Sequence, residues 1–164
     1  MIIETDRLSL IPLTAQQLRQ WTGDILSLEK ELDCRYCAEP MDGTFLDIVK
    51  GQITKTESDN LNYLYHTFWV LIRKTDRVVV GSADFKDIPN KNGEVEIGYG
   101  LGKDYEHNGY MTEAVQAMCN WAIAQNGVSH VIAETDVDNP QSQNVLKRCG
   151  FVQYKEDKTV WWRL

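Results

Sequence analysis

Proline and cysteine are scarce: 4 of each occur among the 164 residues. So little proline excludes a collagen-like or proline-rich extended chain. The cysteines are Cys34, Cys37, Cys119 and Cys149. Cys34 and Cys37 form a lone C-x-x-C with no second pair, and no strand leads into it, so neither a zinc site nor a redox motif is read here. No metal is expected, and a reduced, cytoplasmic setting is. Long apolar runs are also lacking. None approaches the roughly 18 residues of a membrane span, and Met1–Arg7 has no basic region leading into an apolar stretch. Neither membrane association nor a signal peptide is expected. Cations are outnumbered, 17 Lys and Arg against 24 Asp and Glu, for a net charge of −7. That deficit argues against a nucleic-acid binder, whose affinity comes from displacing phosphate counterions. A local phosphate site stays open.

What is present is a globular composition, 43% hydrophobic and 25% charged, at a length that fits a single domain over 1–164. Arg7–Ile11 alternates and reads as a strand. Thr14 can cap a helix over 15–22, which Gly23-Asp24 separates from a second over 25–33. Residues 43–57 read as a third helix. The β-branched and aromatic stretches 67–74 and 77–86 form a hairpin around Thr75-Asp76, and after a turn at 89–93 a third strand covers 94–101. The clearest helix covers 109–126, where Met111, Ala114, Val115, Met118, Trp121 and Ala122 form one apolar stripe. Residues 130–135 are a strand. A short helix follows, capped by Asp138 or Asn139, with Pro140 in its first turn and Gly150 at its end. Strands at 151–156 and 159–163 close the chain. This order predicts an α+β fold in three layers around one mixed sheet.

Chemistry concentrates in 94–112. Gly98, Gly100 and Gly102 end a strand, and the loop 103–108 enters the long helix at Gly109. Glycines there let a ligand lie against backbone, and successive amides at a helix N-terminus bind anions, phosphate above all. A plain strand-to-helix connection is the alternative. Neither a nucleoside-triphosphate loop nor a dinucleotide fingerprint is present.

Three segments in order, Glu96-Ile-Gly-Tyr with Asn108-Gly-Tyr-Met-Thr-Glu-Ala114, Asp138-Asn-Pro-Gln-Ser142, and Leu146-Lys-Arg-Cys-Gly-Phe151, resemble the GCN5-related N-acetyltransferase superfamily. They are most similar to its branch acetylating ribosomal-protein N-termini, as is the opening Thr5-Asp-Arg-Leu-Ser-Leu10. The resemblance covers most of the chain, loosely over 25–65. It implies the acyl-CoA N-acyltransferase fold, a mostly antiparallel sheet with a splayed parallel strand pair. It implies acetyl-CoA as cosubstrate and direct transfer of its acetyl group to a primary amine.

Carried over residue by residue, the phosphate motif falls on Glu106, His107, Asn108, Gly109, Tyr110, Met111 and Thr112. Glu106 replaces a residue that is usually neutral or cationic, and His107 stands where glycine is common. Tyr99 and Leu101 fall beside the pantetheine gap, and Asn139 and Ser142 near the pantetheine arm or thiol end. Lys103, Lys147 and Arg148 are candidate local cations. A neutral amine must attack, so a base within about 2.6–3.2 Å or one water is required. The resemblance assigns it to Glu96, with Glu94 of the same strand parity in reserve; both also read as plain exposed carboxylates. Leu146 stands where many members carry tyrosine, so no dedicated general acid is expected, and Ser142 is left to hydrogen-bond the leaving thiolate.

The acceptor is read as a protein N-terminus, with a small-molecule amine or amino acid as the alternative, on a monomer or homodimer. A CoA-binding regulatory module without turnover is the reading from another class. His66 and His130 are expected at surface or sheet edge, Cys149 in packing, and Trp161 and Trp162 on opposite faces of one strand.

Overall fold

The β-branched and aromatic runs of the sequence become the strands of a single sheet in the computed structural model, which describes residues 1–164. Its strands are β1 (Ile3–Glu4), β2 (Leu8–Pro12), β3 (Arg35–Tyr36), β4 (Phe68–Arg73), β5 (Val78–Phe85), β6 (Glu94–Leu101), β7 (His130–Asp136), β8 (Val152–Glu156) and β9 (Thr159–Arg163). They lie in the order β1-β2-β4-β5-β6-β7-β9-β8, with β3 against the start of β5. Pairing is antiparallel except between β6 and β7 and between β3 and β5. The mixed sheet with one parallel central pair is the expected one. β1 and β3 were not anticipated, because two residues carry no readable period.

The helices are α1 (Ala15–Gly23), α2 (Ile25–Leu32), α3 (Gly43–Ser58), α4 (Tyr63–His66), α5 (Tyr110–Ile123) and α6 (Pro140–Arg148). Thr14 caps α1 through a reciprocal box with Gln17. Asp24 ends α1 and begins α2, its carboxylate accepting from Ser27. The long helix is shorter than 109–126. Gly109 sits outside it in the left-handed region at φ 77°, and the helix ends at Ile123 before the turn to Gly127.

Alternation along β4 explains the layers. Phe68, Val70 and Ile72 face a core shared with Leu18, Trp21, Leu28 and Val49 of α1–α3, while Trp69 and Leu71 face the core of α5. A strand covered on both sides reads as a continuous apolar run, as this one does. Each large side chain so buried contributes about 1.5–3 kcal/mol. The sheet is thereby clamped between α3 on one face and α5 on the other.

Candidate active site

β6 changes partner midway. Residues 94–96 pair with β7 at 130–132, and residues 97–101 pair with β5. Lys86 N–H donates to the Glu96 carbonyl at 3.0 Å and Gly102 N–H to the Val80 carbonyl at 2.8 Å. Antiparallel bonds alternate, so the even-numbered residues of β6 hold the ladder to β5. Tyr99 and Leu101 therefore aim their backbone groups toward β7, which has already diverged. The parallel pair is splayed, and its gap presents unpaired strand backbone.

At one end of this gap stands the N-terminus of α5. The N–H groups of residues 107–112 donate to no protein acceptor. Gly109 caps the helix with no side chain to occupy those donors. Six free amides beside the positive end of a helix form an anion site. His107 adopts φ 64°, where a β-carbon costs roughly 1–2 kcal/mol, which is why glycine suits that place. Arg7 of the β1–β2 turn braces the loop. Its Nη1 donates to the Asn108 carbonyl at 2.8 Å, its guanidinium lies 4.5 Å from the centre of the Tyr110 ring, and its Nε meets Glu113 at 2.7 Å.

A cleft of about 430 Å³ runs from these amides to the N-terminus of α6. Tyr99, Leu101, Glu106, His107, Gly109, Tyr110, Met111, Thr112, Asn139 and Ser142 all line it. Asn108 does not. Its side chain turns back to the carbonyls of Tyr105 and Glu106, at 3.1 and 2.9 Å, because that closes the left-handed loop on itself. Among the candidate cations, Arg148 lines the cleft, whereas Lys147 lies over the Trp162 ring at 5.8 Å. Asn139, rather than Asp138, caps α6, its Oδ1 accepting from Ser142 N–H at 3.1 Å. Ser142 Oγ is 2.8 Å from the Tyr99 hydroxyl, whose pKa burial pushes up to about 12. Leu146 is fully buried in the α5 core.

On the opposite face, α3, β5 and β6 enclose a second cavity of about 500 Å³ that shares Tyr99 and Gly100 with the first. Phe45, Ile48 and Phe68 supply its apolar wall, and Glu39 and Asp84 bring carboxyls into it. Gly98 and Gly100 make this possible. A β-carbon on Gly98 would stand 2.7 Å from Asp84 Oδ1, and one on Gly100 would stand 1.7 Å from Glu39 Oε1. Burial raises the pKa of both acids. Asp84 reaches about 7, with Lys86 opposing the rise and Glu96 adding to it.

Glu96 and Glu94 are engaged elsewhere on that face. Glu96 Oε1 is 2.5 Å from Lys86 Nζ, and Glu94 bonds Arg163 at 3.3 Å and Asn90 at 3.0 Å. Neither lines the cavity, although the ion pair of Glu96 borders it through Lys86.

The family model described as an acetyltransferase (GNAT) domain matches residues 7–152. The chain belongs to the GNAT acetyltransferase family. This GNAT chain is 36% identical over 84 residues to the uncharacterized N-acetyltransferase YjdG of Bacillus subtilis (strain 168), covering 51% of this chain and 50% of that one. It is 32% identical over 82 residues to a ribosomal-protein-serine acetyltransferase of Escherichia coli (strain K12), covering 50% and 45%. Each of these matches thus spans about half of the relative. Over the whole fold it resembles RimL, a ribosomal L7/L12 alpha-N-protein acetyltransferase solved in complex with coenzyme A. That superposition has a TM-score of 0.71 at 15% identity and covers 100% of this chain and 97% of that one.

Within the GNAT domain several residues went unread in the sequence: Arg7, which braces the loop beside the cleft, and Glu39 and Asp84 in the cavity. A carboxylate inside the apolar run of β5 was the available signal for Asp84. His66 corrects its expectation. It is 5% exposed, not superficial, because α4 turns it inward between Asp59 at 3.0 Å and Asp87 at 3.7 Å. Cys149 is packed as expected, its Sγ 3.4 Å from the Thr112 carbonyl and its thiol pushed up to about 11 by burial.

Proposed function

We propose that this protein is a single-domain acetyl-CoA-dependent N-acetyltransferase acting by direct transfer to a primary amine. The observation that carries the reading is the meeting of two cavities at Tyr99 and Gly100, one ending in free amides and the other lined with carboxyls. The donor set fits a diphosphate-bearing pantetheine. Residues 107–112 offer amides to the phosphates, Tyr99 and Leu101 offer strand backbone to the pantetheine, and Ser142 faces the thiol end. When bound, acetyl-CoA supplies an activated acyl group on a good leaving thiol. The chain's own part is to hold that arm across the sheet, to admit the amine from the α3 side and to leave the amine neutral.

Directional amides, not a field of positive charge, hold the anion in this reading, which reconciles a phosphate ligand with a net charge of −7. Titration calorimetry with acetyl-CoA, followed by thiol-release assays over peptides and small amines, tests it. Micromolar binding with release on at least one acceptor is expected. No binding by folded protein refutes it, and binding without release on any acceptor favours a regulatory module.

A further inference from the structure

Asp84 is 6% exposed, yet its carboxyl makes no hydrogen bond to any protein group. Burying a charge without a partner is costly, and native structures seldom leave one so. Its oxygens instead open into the cavity of about 500 Å³ between α3 and the sheet. Glu39 reaches the same space from the loop before α3, over Gly100, and it too lacks a side-chain partner. The cations around them are already matched: Lys86 by Glu96 at 2.5 Å and Lys55 by Asp87 at 3.1 Å. Two carboxyls are left uncompensated beside an aromatic wall of Phe45 and Phe68, whose ring centres are 5.9 Å apart.

We propose that Asp84 receives the acceptor's ammonium and removes its proton, with Glu39 facing the same cation, so that the cavity takes primary amines carried on an uncharged apolar stem. This rests on the acetyltransferase reading and assigns the base to β5 instead of to Glu96. The ammonium gives one proton to the Asp84 carboxylate, and the freed nitrogen lone pair forms the N–C bond to the acetyl carbon. The C–S bond breaks, and a second proton from nitrogen goes to the departing sulfur. Amide, thiol and a protonated Asp84 result, and Asp84 then returns its proton to water. Groups facing Asp84 are Lys86 just past the end of its strand, Glu96 on β6, Lys55 on α3 and Glu39 on the loop. With burial setting the titration near 7, the rate rises with pH through neutrality and levels above it.

The probe is phenethylammonium, with 2-phenylethanol as its neutral control. Carboxyl ¹³C resonances of aspartate-labelled protein follow binding, and thiol release follows turnover with phenethylamine. Wild-type protein is expected to bind the ammonium and not the alcohol, with the Asp84 resonance shifted. Asp84→Asn is expected to bind acetyl-CoA unchanged, lose at least tenfold in ammonium affinity and at least a hundredfold in kcat/KM, and lose the rise through neutrality. Glu39→Gln, which leaves Asp84 in place, should weaken the ammonium severalfold and keep the pH profile. Equal ammonium binding by wild type and Asp84→Asn, no binding by wild type, or turnover of Asp84→Asn within threefold overturns the assignment. Binding of phenethylamine without thiol release overturns the proton-transfer half. Failure to bind acetyl-CoA instead refutes the underlying reading, which the resonance titration does not depend on.

Discussion

Replacing Glu113 by alanine tests how the amide cradle is held in place. Glu113 lies in the first turn of α5, and its carboxylate accepts from Thr5 Oγ1 at 2.6 Å, Arg7 N–H at 2.8 Å and Arg7 Nε at 2.7 Å. A hydrogen bond to a charged group contributes about 1.5–3 kcal/mol when buried, and a partly exposed ion pair about 0.2–1 kcal/mol. Arg7 is 44% exposed and Glu113 19%, so the pair belongs to the weaker class. In the variant the Thr5 hydroxyl can turn its one proton to the Leu8 carbonyl, 3.1 Å away. The three contacts together then sum to about 2 kcal/mol, a fall of roughly 4–8 °C in Tm for a chain this long. Burial would raise the Glu113 pKa, but Thr5 and Arg7 outweigh it and hold the carboxyl below its usual range. A group depressed in the folded state stabilises above its unfolded pKa, about 4.3, and loses that contribution as pH falls through the folded value. Urea unfolding should therefore separate wild type from Glu113→Ala at pH 7 and bring their midpoints together toward pH 3. Released from Glu113, Arg7 also ceases to brace Asn108, so affinity for CoA should fall several-fold. A midpoint difference that is absent at pH 7, or unchanged down to pH 3, refutes the reasoning.

Four further outcomes are expected. Glu106 lines the anion cleft, so Glu106→Gln should tighten CoA binding about threefold to tenfold by calorimetry, the effect of removing roughly 1 kcal/mol of solvent-screened repulsion. Gly109→Ala places a β-carbon at φ 77°, and should lower stability by about 1–2 kcal/mol in denaturant titration while weakening CoA binding. Leu146→Ala should cost about 2–5 kcal/mol as a buried truncation, and Leu146→Tyr should destabilise without raising kcat, because that side chain lies in the core and not at the thiol. Ser142→Ala should leave turnover within about threefold. A thiol with a reference pKa near 8.5 leaves readily, and Tyr99, held near 12, is a poor acid; a hundredfold loss would show that the pair does donate.

Legibility followed the range of the interaction. The apolar stripe of α5, the strand parity of β6 and a cap at Asp138 or Asn139 are local periodicities and turn chemistry, and they stood in the sequence with boundaries shifted by a few residues. Resemblance added the cleft residues, all but Asn108 of which line it with their neighbours. β1, β3 and α4, each four residues or fewer, are selected by docking onto longer elements and had no period of their own.

The sequence by itself determined the mixed sheet, the glycine-capped helix beside a net negative surface, and the family that these motifs announce. It did not determine which carboxylate is free. Glu96 read as the available acid because the resemblance implied it, and Glu94 followed as the reserve because strand parity put it on the same face. Their cations, Lys86 and Arg163, approach only once β5 and β9 are in register with their neighbours. Asp84 went unread because its surroundings are assembled from afar. Gly98 removes the side chain opposite it, α3 roofs it, and Glu39 arrives from a loop 45 residues earlier in the chain. Pairing and desolvation depend on neighbours in space, so only the tertiary structure decided which acid faces the cavity under α3 unpaired.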